Sequence, residues 1–109
     1  MNGHISAAVA AALLLVLGAM SPLAAQDFGD VAGGRNIATT ICAACHVIAK
    51  GQFHSPEGGA PAFARIAATP GMTSIALTAL LLTSHRQMPN IILQPDERRD
   101  VVAYIISLL

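Results

Sequence analysis

The chain has 109 residues, of which 54% are apolar and 11% charged, and its six basic and six acidic residues give a net charge of zero. This balance excludes the strongly basic surface with which proteins bind nucleic acids, and it predicts no electrostatic steering toward a charged partner. Every charged residue follows Gln26, so the chain begins with a wholly uncharged segment.

That N-terminal segment, residues 1–25, is typical of a signal peptide. Residues 5–20 carry no charge, Ser21-Pro22 interrupts the apolar stretch, and Ala24-Ala25 supplies small residues for cleavage. We therefore predict an exported, periplasmic protein whose mature domain is 26–109, without stable membrane insertion. The alternative is an uncleaved membrane anchor, although a run of about 16 apolar residues is short against the roughly 20 that span a bilayer.

The mature region predicts helices and no strands. We expect a polar lead over 27–34, a helix that begins at Gly33 or Gly34 and runs to about Cys45, and a loop rich in glycine and proline over 49–62. The domain is small and has few aromatic residues, so a large apolar cofactor would supply bulk that its core lacks.

The sequence from residue 63 onward predicts one short and two longer helices. A helical turn is expected over 63–68. Thr73 is the expected N-cap of the next helix, which its alanine and leucine content extends to about Arg86, before Pro89.

The last helix is predicted to begin at Pro95, a residue suited to the first helical position, and to run to the C-terminus. Asp96 and Glu97 in its first turn complement the helix dipole. Its buried stripe is expected to contain Val101, Tyr104, Ile105 and Leu108.

The decisive motif is Cys42-Ala43-Ala44-Cys45-His46. The C-x-x-C-H pattern is the attachment signature of c-type haem, because two cysteines three apart on a helical turn present both sulfurs toward the vinyl groups of one haem edge. The adjacent histidine then reaches the iron. We predict one haem c bound covalently to Cys42 and Cys45, with His46 as the proximal iron ligand.

Three other interpretations of the motif have less support. A thioredoxin-like redox pair needs a βαβ context, which is not predicted. A structural zinc site needs four ligands, and the chain has no third cysteine, which leaves only His54 and His85. A plain disulfide does not require His46.

These features resemble class I cytochrome c over essentially the whole mature region. Gly34 lies eight residues before Cys42, where the family has its helix-contact glycine, and residues 100–105 resemble the C-terminal helix whose aromatic packs there. The resemblance implies an all-α fold in which roughly three to five helices wrap around one haem and the terminal helices cross. Ala38 replaces the family's usual aromatic partner, which predicts a looser or locally rearranged crossing.

The segment Ala60-Pro61-Ala62-Phe63 resembles the family's Gly-Pro-x-Leu. By this resemblance, the Pro61 carbonyl would accept a hydrogen bond from the second ring nitrogen of His46 and fix the orientation of the ring. Phe63 would pack on the haem.

The resemblance also assigns the distal ligand, since Met88-Pro89-Asn90 stands where the family has a methionine followed by proline. Methionine and histidine ligation raises the reduction potential and leaves no open iron position. Met72 is the leading alternative ligand, but its expected role is packing. We expect His54 to be a solvated loop residue and His85 to cap the preceding helix end.

Two further features have less specific interpretations. Arg65 and Arg86 are candidate partners of the haem propionates, with solvated surface charges as the equal alternative. The apolar stretch Ile91-Ile92-Leu93 should cover the haem edge or the core, and an exposed remainder would form a weak docking patch.

The resulting hypothesis is an electron carrier with no catalytic residues that moves single electrons between redox proteins through small, transient interfaces, as a monomer or as a subunit of a redox complex. The main alternative is a fixed electron-accepting subunit of a larger dehydrogenase or oxidase. A peroxidase or gas sensor is a third class, against which Met88 argues. A haem-free metal or disulfide protein is the fourth.

Overall fold

The computed structural model of the protein describes residues 28–52, 59–85 and 87–109. The predicted signal peptide, His54 and Arg86 lie outside the described residues. The described secondary structure is helical, with α1 at Val31–Ile41, a 3₁₀ turn at Cys42–Ala44, α2 at Phe63–Ala67, α3 at Ser74–Leu81 and α4 at Pro95–Ser107. These ranges contain no strand, which confirms the predicted all-α fold. None of the described helices is long and apolar enough to span a membrane.

Helix α1 begins at Val31, earlier than the predicted start at Gly33 or Gly34. Its N-cap is Asp30, whose carboxylate accepts hydrogen bonds from the Ala32 and Gly33 N–H groups, both at 3.1 Å. These bonds satisfy two of the N–H groups that a helix start leaves without partners. The predicted polar lead therefore contains the cap and the first turn of the helix.

The cap makes Asp30 a measurable contributor to stability. We expect Asp30→Ala to lower the free energy of unfolding by about 1 kcal/mol, because an alanine N-cap leaves both N–H groups without an acceptor. Urea unfolding measures this change. Asp30→Asn keeps a side-chain acceptor and is the control. An alanine variant as stable as the asparagine variant would contradict the cap.

Helices α1 and α4 cross at close range. A Cβ atom added to Gly34 would overlap the backbone carbonyl of Asp100 and would lie 2.8 Å from the Cβ of Tyr104. Ala38, one turn further along, has no solvent exposure, and Ile37 packs beside it on the core. The two backbones therefore meet closely at Gly34, and of the two predicted arrangements, looser or locally rearranged, the looser one is wrong.

A polar contact at the crossing also joins the two ends of the domain. The Asp30 N–H donates to the Asp100 carboxylate at 2.7 Å, across 70 residues of sequence. Asp100 thus meets α1 with its backbone carbonyl at Gly34 and with its side chain at the helix start. Both contacts fix where the two helices cross.

Helix α4 is the central element of the core, since it packs against α1, α2 and α3. This contact on several sides widens its apolar face beyond the predicted stripe, so Val102 is buried as well, whereas Leu108 is only half-buried. The buried core consists of Ala38, Ile48, Phe63, Ala67, Leu77, Val101, Val102, Tyr104 and Ile105.

Helix α3 begins after its predicted N-cap, Thr73, but ends at Leu81, five residues before the predicted end at Arg86. The Leu82 N–H donates to the Thr78 and Ala79 carbonyls at 3.1 and 3.2 Å, and the Thr83 hydroxyl donates to the same Ala79 carbonyl at 2.7 Å. These short-range bonds close the helix. His85 is exposed beyond this end, so its predicted role as a helix cap is wrong.

Helix α4 begins at Pro95, as predicted. The Gln94 N–H donates to the Glu97 carboxylate at 2.8 Å in a capping box at the start of the helix. This bond fixes the first turn of α4 and so restricts the conformations of the preceding loop, which contains Met88.

Candidate haem site

The C-x-x-C-H motif folds as one tight turn at the end of α1. The Cys42 carbonyl oxygen accepts hydrogen bonds from the Cys45 N–H at 3.1 Å and from the His46 N–H at 2.9 Å. Both thiols are half-buried, and neither is in a disulfide. Burial raises the pKa of the Cys42 thiol, so this thiol is protonated at neutral pH. The turn therefore presents two thiols and one imidazole from a span of five residues.

One nitrogen of the His46 ring is already engaged by the protein. Its Nδ1 lies 2.7 Å from the carbonyl oxygen of Pro61. Because a carbonyl can only accept, Nδ1 carries the proton and Nε2 keeps the lone pair that a metal requires. The structure thus brings His46 and Pro61 together in the arrangement typical of a metal-ligating histidine.

Phe63 lies between the imidazole and helix α4. It is only 4% exposed, and its ring centroid is 5.3 Å from that of His46 at an interplanar angle of 48°. Its other neighbour is Tyr104, at 6.5 Å with the rings edge-on at 62°. Phe63 therefore packs on the imidazole itself, a contact that the expectation of haem packing did not include.

Sequence reasoning missed the two residues that follow the motif. Val47 and Ile48 are buried, and their carbonyls accept hydrogen bonds from the Phe63 N–H at 2.9 Å and the Tyr104 hydroxyl at 2.8 Å. The only signal in the sequence was a pair of apolar residues directly after His46.

Met88 lies in the loop between α3 and α4 and is half-buried. Pro89 and Asn90, which follow it, are exposed, and the loop returns to the core at Leu93. Met72 instead packs against the core, as its predicted role requires. Both methionines lie in loops and are half-buried, and Met72 is the one that packs against the core.

The remaining candidates lie at the surface. Arg65 is exposed on α2, and Ile92 is 85% exposed, whereas its neighbours Ile91 and Leu93 are half-buried. Within the three described ranges, no group of three His, Cys, Asp or Glu side chains could hold a metal ion.

The donor set fits a covalently attached haem. Both thiols lie in one turn without a disulfide, the imidazole keeps its Nε2 for a metal because Nδ1 is bonded to Pro61, and a half-buried thioether follows in a loop. A soft thioether and an imidazole are axial ligands of haem iron in electron-transfer proteins.

Comparison with known proteins gives the family. The chain is 36% identical over 96 residues to cytochrome c-552 of Bradyrhizobium diazoefficiens, a match that spans 88% of this chain and 91% of that protein. The chain belongs to the c-type cytochromes. This c-type cytochrome has the class I fold, with α1 and α4 as the crossing helices, and it carries one covalently bound haem c as an electron carrier. No protein-family model matches the chain, and no solved structure matches it.

Proposed function

We propose that this c-type cytochrome is an exported carrier that shuttles single electrons between redox proteins. In this proposal, Cys42 and Cys45 hold the haem through thioether bonds, and His46 and Met88 are the axial ligands of its iron. The observation that carries the proposal is the 2.7 Å contact between His46 Nδ1 and the Pro61 carbonyl, made directly beside the cysteine turn.

The proximal side supports this assignment through geometry. The Cys42 carbonyl accepts from two N–H groups and so holds the turn in one shape, from which Cys42 and Cys45 would both bond to one haem. The bond to Pro61 selects the tautomer of His46 and directs Nε2 away from that carbonyl. The chain would thus present both attachment points and the ligand from one hydrogen-bonded segment.

The position of Met88 supports its proposed role as the second axial ligand. Pro89 stiffens the loop after the thioether, and the capping box at Gln94 and Glu97 anchors the end of the loop. When bound, the haem supplies the one-electron exchange between ferric and ferrous iron. Pro61 would orient the imidazole, and Met88 would occupy the remaining iron position, which favours electron passage over small-molecule binding.

An optical spectrum of the periplasmic fraction, recorded with and without reductant, tests this function. We expect reversible reduction, the weak far-red band of methionine bound to ferric iron, and no carbon monoxide binding by the ferrous protein at neutral pH. We also expect His46→Ala to prevent a stable holoprotein. Ready carbon monoxide binding by the wild type would contradict the six-coordinate carrier.

Covalent attachment has its own test. We expect Cys42→Ala and Cys45→Ala each to weaken attachment and the double variant to abolish it, because each cysteine supplies one thioether bond. Haem staining after denaturing electrophoresis, with acid-acetone extraction, measures the bound fraction. Ala43→Ser within the same turn is the control and should retain all of its haem. Haem that stays bound in the double variant would disprove attachment at these positions.

A second function, a fixed electron-accepting subunit of a larger dehydrogenase or oxidase, is favoured by exposed apolar residues. Ile75, Leu82 and Ile92 are 84%, 64% and 85% exposed, and the stretch 66–95 carries a single formal charge, that of Arg86. Exposed apolar residues without charge are typical of permanent subunit contacts. Native purification distinguishes the two functions: a shuttle elutes alone, whereas a subunit elutes with a catalytic chain.

A further inference from the structure

Hydrogen bonds hold the backbone of the two residues that follow His46. The Val47 carbonyl accepts the Phe63 N–H at 2.9 Å, and the Ile48 carbonyl accepts the Tyr104 hydroxyl at 2.8 Å. Val47 and Ile48 are both buried, so little water competes for these carbonyls and losing either bond is costly. The backbone that bears the imidazole is therefore tied to α2 and to α4.

The bond from His46 to Pro61 does not by itself fix the plane of the imidazole. Pro61 is exposed, and one N–H···O bond leaves the ring free to tilt about the axis of that bond. The Phe63 ring, 5.3 Å away, packs against the imidazole and limits the tilt. The Tyr104 ring, edge-on to Phe63 at 6.5 Å, limits the movement of Phe63 in turn.

We propose that Tyr104 is a positioning residue for His46, since its ring holds Phe63 against the imidazole and its hydroxyl fixes the backbone behind it. The inference rests on the proposed role of His46 as the proximal iron ligand. It goes beyond the packing role expected of an aromatic on the last helix. The same side chain lies against Gly34, so the α1–α4 crossing and the orientation of the axial ligand depend on one residue.

This orientation matters for electron transfer because partners that hold the second ring nitrogen of a ligating histidine set both its direction and its basicity. The plane of the imidazole determines which iron orbitals it overlaps, and hence how unpaired electron density spreads over the haem. A substitution of Tyr104 should therefore change the distribution of unpaired electron density around the iron, although Tyr104 does not contact the iron.

The test compares Tyr104→Phe with Ser107→Ala in the haem-loaded protein. Each variant removes one hydroxyl group from α4, but the Ser107 hydroxyl donates only within the helix, to the Tyr104 carbonyl at 2.6 Å. The readouts are the spread of the haem methyl resonances in the proton NMR spectrum of the ferric protein, and the exchange rate of the His46 Nδ1 proton.

We expect Tyr104→Phe to change the methyl spread and to speed exchange of the Nδ1 proton about tenfold, roughly the effect of one lost hydrogen bond. Ser107→Ala should leave both readouts at their wild-type values. Phe63→Leu keeps an apolar side chain but removes the ring, and it should change the methyl spread further.

Wild-type readouts in Tyr104→Phe would overturn the inference, as would equal changes in Tyr104→Phe and Ser107→Ala, since the latter result would indicate a general loss of helix stability. Failure of the proposed function has a different signature. If His46→Ala retains the wild-type spectrum, the proximal assignment is wrong and the inference fails with it.

Discussion

Replacing Met88 by alanine is expected to lower the reduction potential by about 120 mV, if the thioether favours ferrous iron about a hundredfold, at about 59 mV per tenfold change for one electron. The far-red ferric band should disappear, and the ferrous iron should bind carbon monoxide. Under the proposed ligation, a neutral, soft ligand is lost from a half-buried loop position, and that loop has no other methionine. Potentiometric titration followed optically measures the change.

Met72→Ala is the matched control for this experiment. Met72 packs on the core, so its truncation should cost about 2 kcal/mol of stability, at the low end for a core methionine, while the potential and the far-red band stay at wild-type values. A wild-type spectrum in Met88→Ala would indicate that Met72 or a histidine, and not Met88, is the distal ligand.

The Gly34→Ala variant is expected to lose at least about 3 kcal/mol of stability, a large part of the roughly 5–15 kcal/mol that stabilises a domain. The added methyl group would overlap the backbone carbonyl of Asp100. Backbone cannot move aside as a side chain can, so α1 and α4 must separate and Ala38 must lose its contacts. Urea unfolding of the holoprotein and the yield of haem-loaded protein measure the effect.

Gly33→Ala provides the comparison one residue earlier. There the nearest atoms are carboxylate oxygens of Asp100 and Asp30, at 3.0 and 3.1 Å, and the ends of these side chains can shift. Alanine also gains about 1 kcal/mol of helix propensity over glycine, so this variant should remain near wild-type stability. Equal losses at Gly33 and Gly34 would show that the close crossing does not determine the effect.

The features that sequence reasoning predicted well are those with local chemical signals. Five adjacent residues, 42–46, predict the cofactor, and Pro95 followed by Asp96 and Glu97 predicts where the last helix begins. The start of α1 had a similar local signal in Asp30, which sequence reasoning placed in a polar lead. Residue types near the helix starts therefore indicate where these helices begin.

The features it missed depend on contacts between distant parts of the chain. The resemblance predicted that Gly34 contacts the last helix but not how closely it approaches Asp100, because that distance depends on the angle at which the two helices cross, which no local pattern encodes. The same holds for the Tyr104 hydroxyl, which meets a carbonyl 56 residues away. The early end of α3 has a different cause. A continued helix would bond the Ala79 carbonyl to the Thr83 N–H, but this carbonyl accepts from the Leu82 N–H and the Thr83 hydroxyl instead.

The contact between Asp30 and Asp100 has a consequence for how the protein folds. Closing a loop of 70 residues costs about 4 kcal/mol of chain entropy, which the crossing has to recover before it is stable. With the proposed attachment at Cys42 and ligation by Met88, the haem would divide that loop into shorter ones, so less entropy would remain to be lost when the ends meet. Haem attachment and closure of the chain ends would then be thermodynamically linked. A change that weakens the proposed axial bonds would also lengthen the loop that α1 and α4 must close.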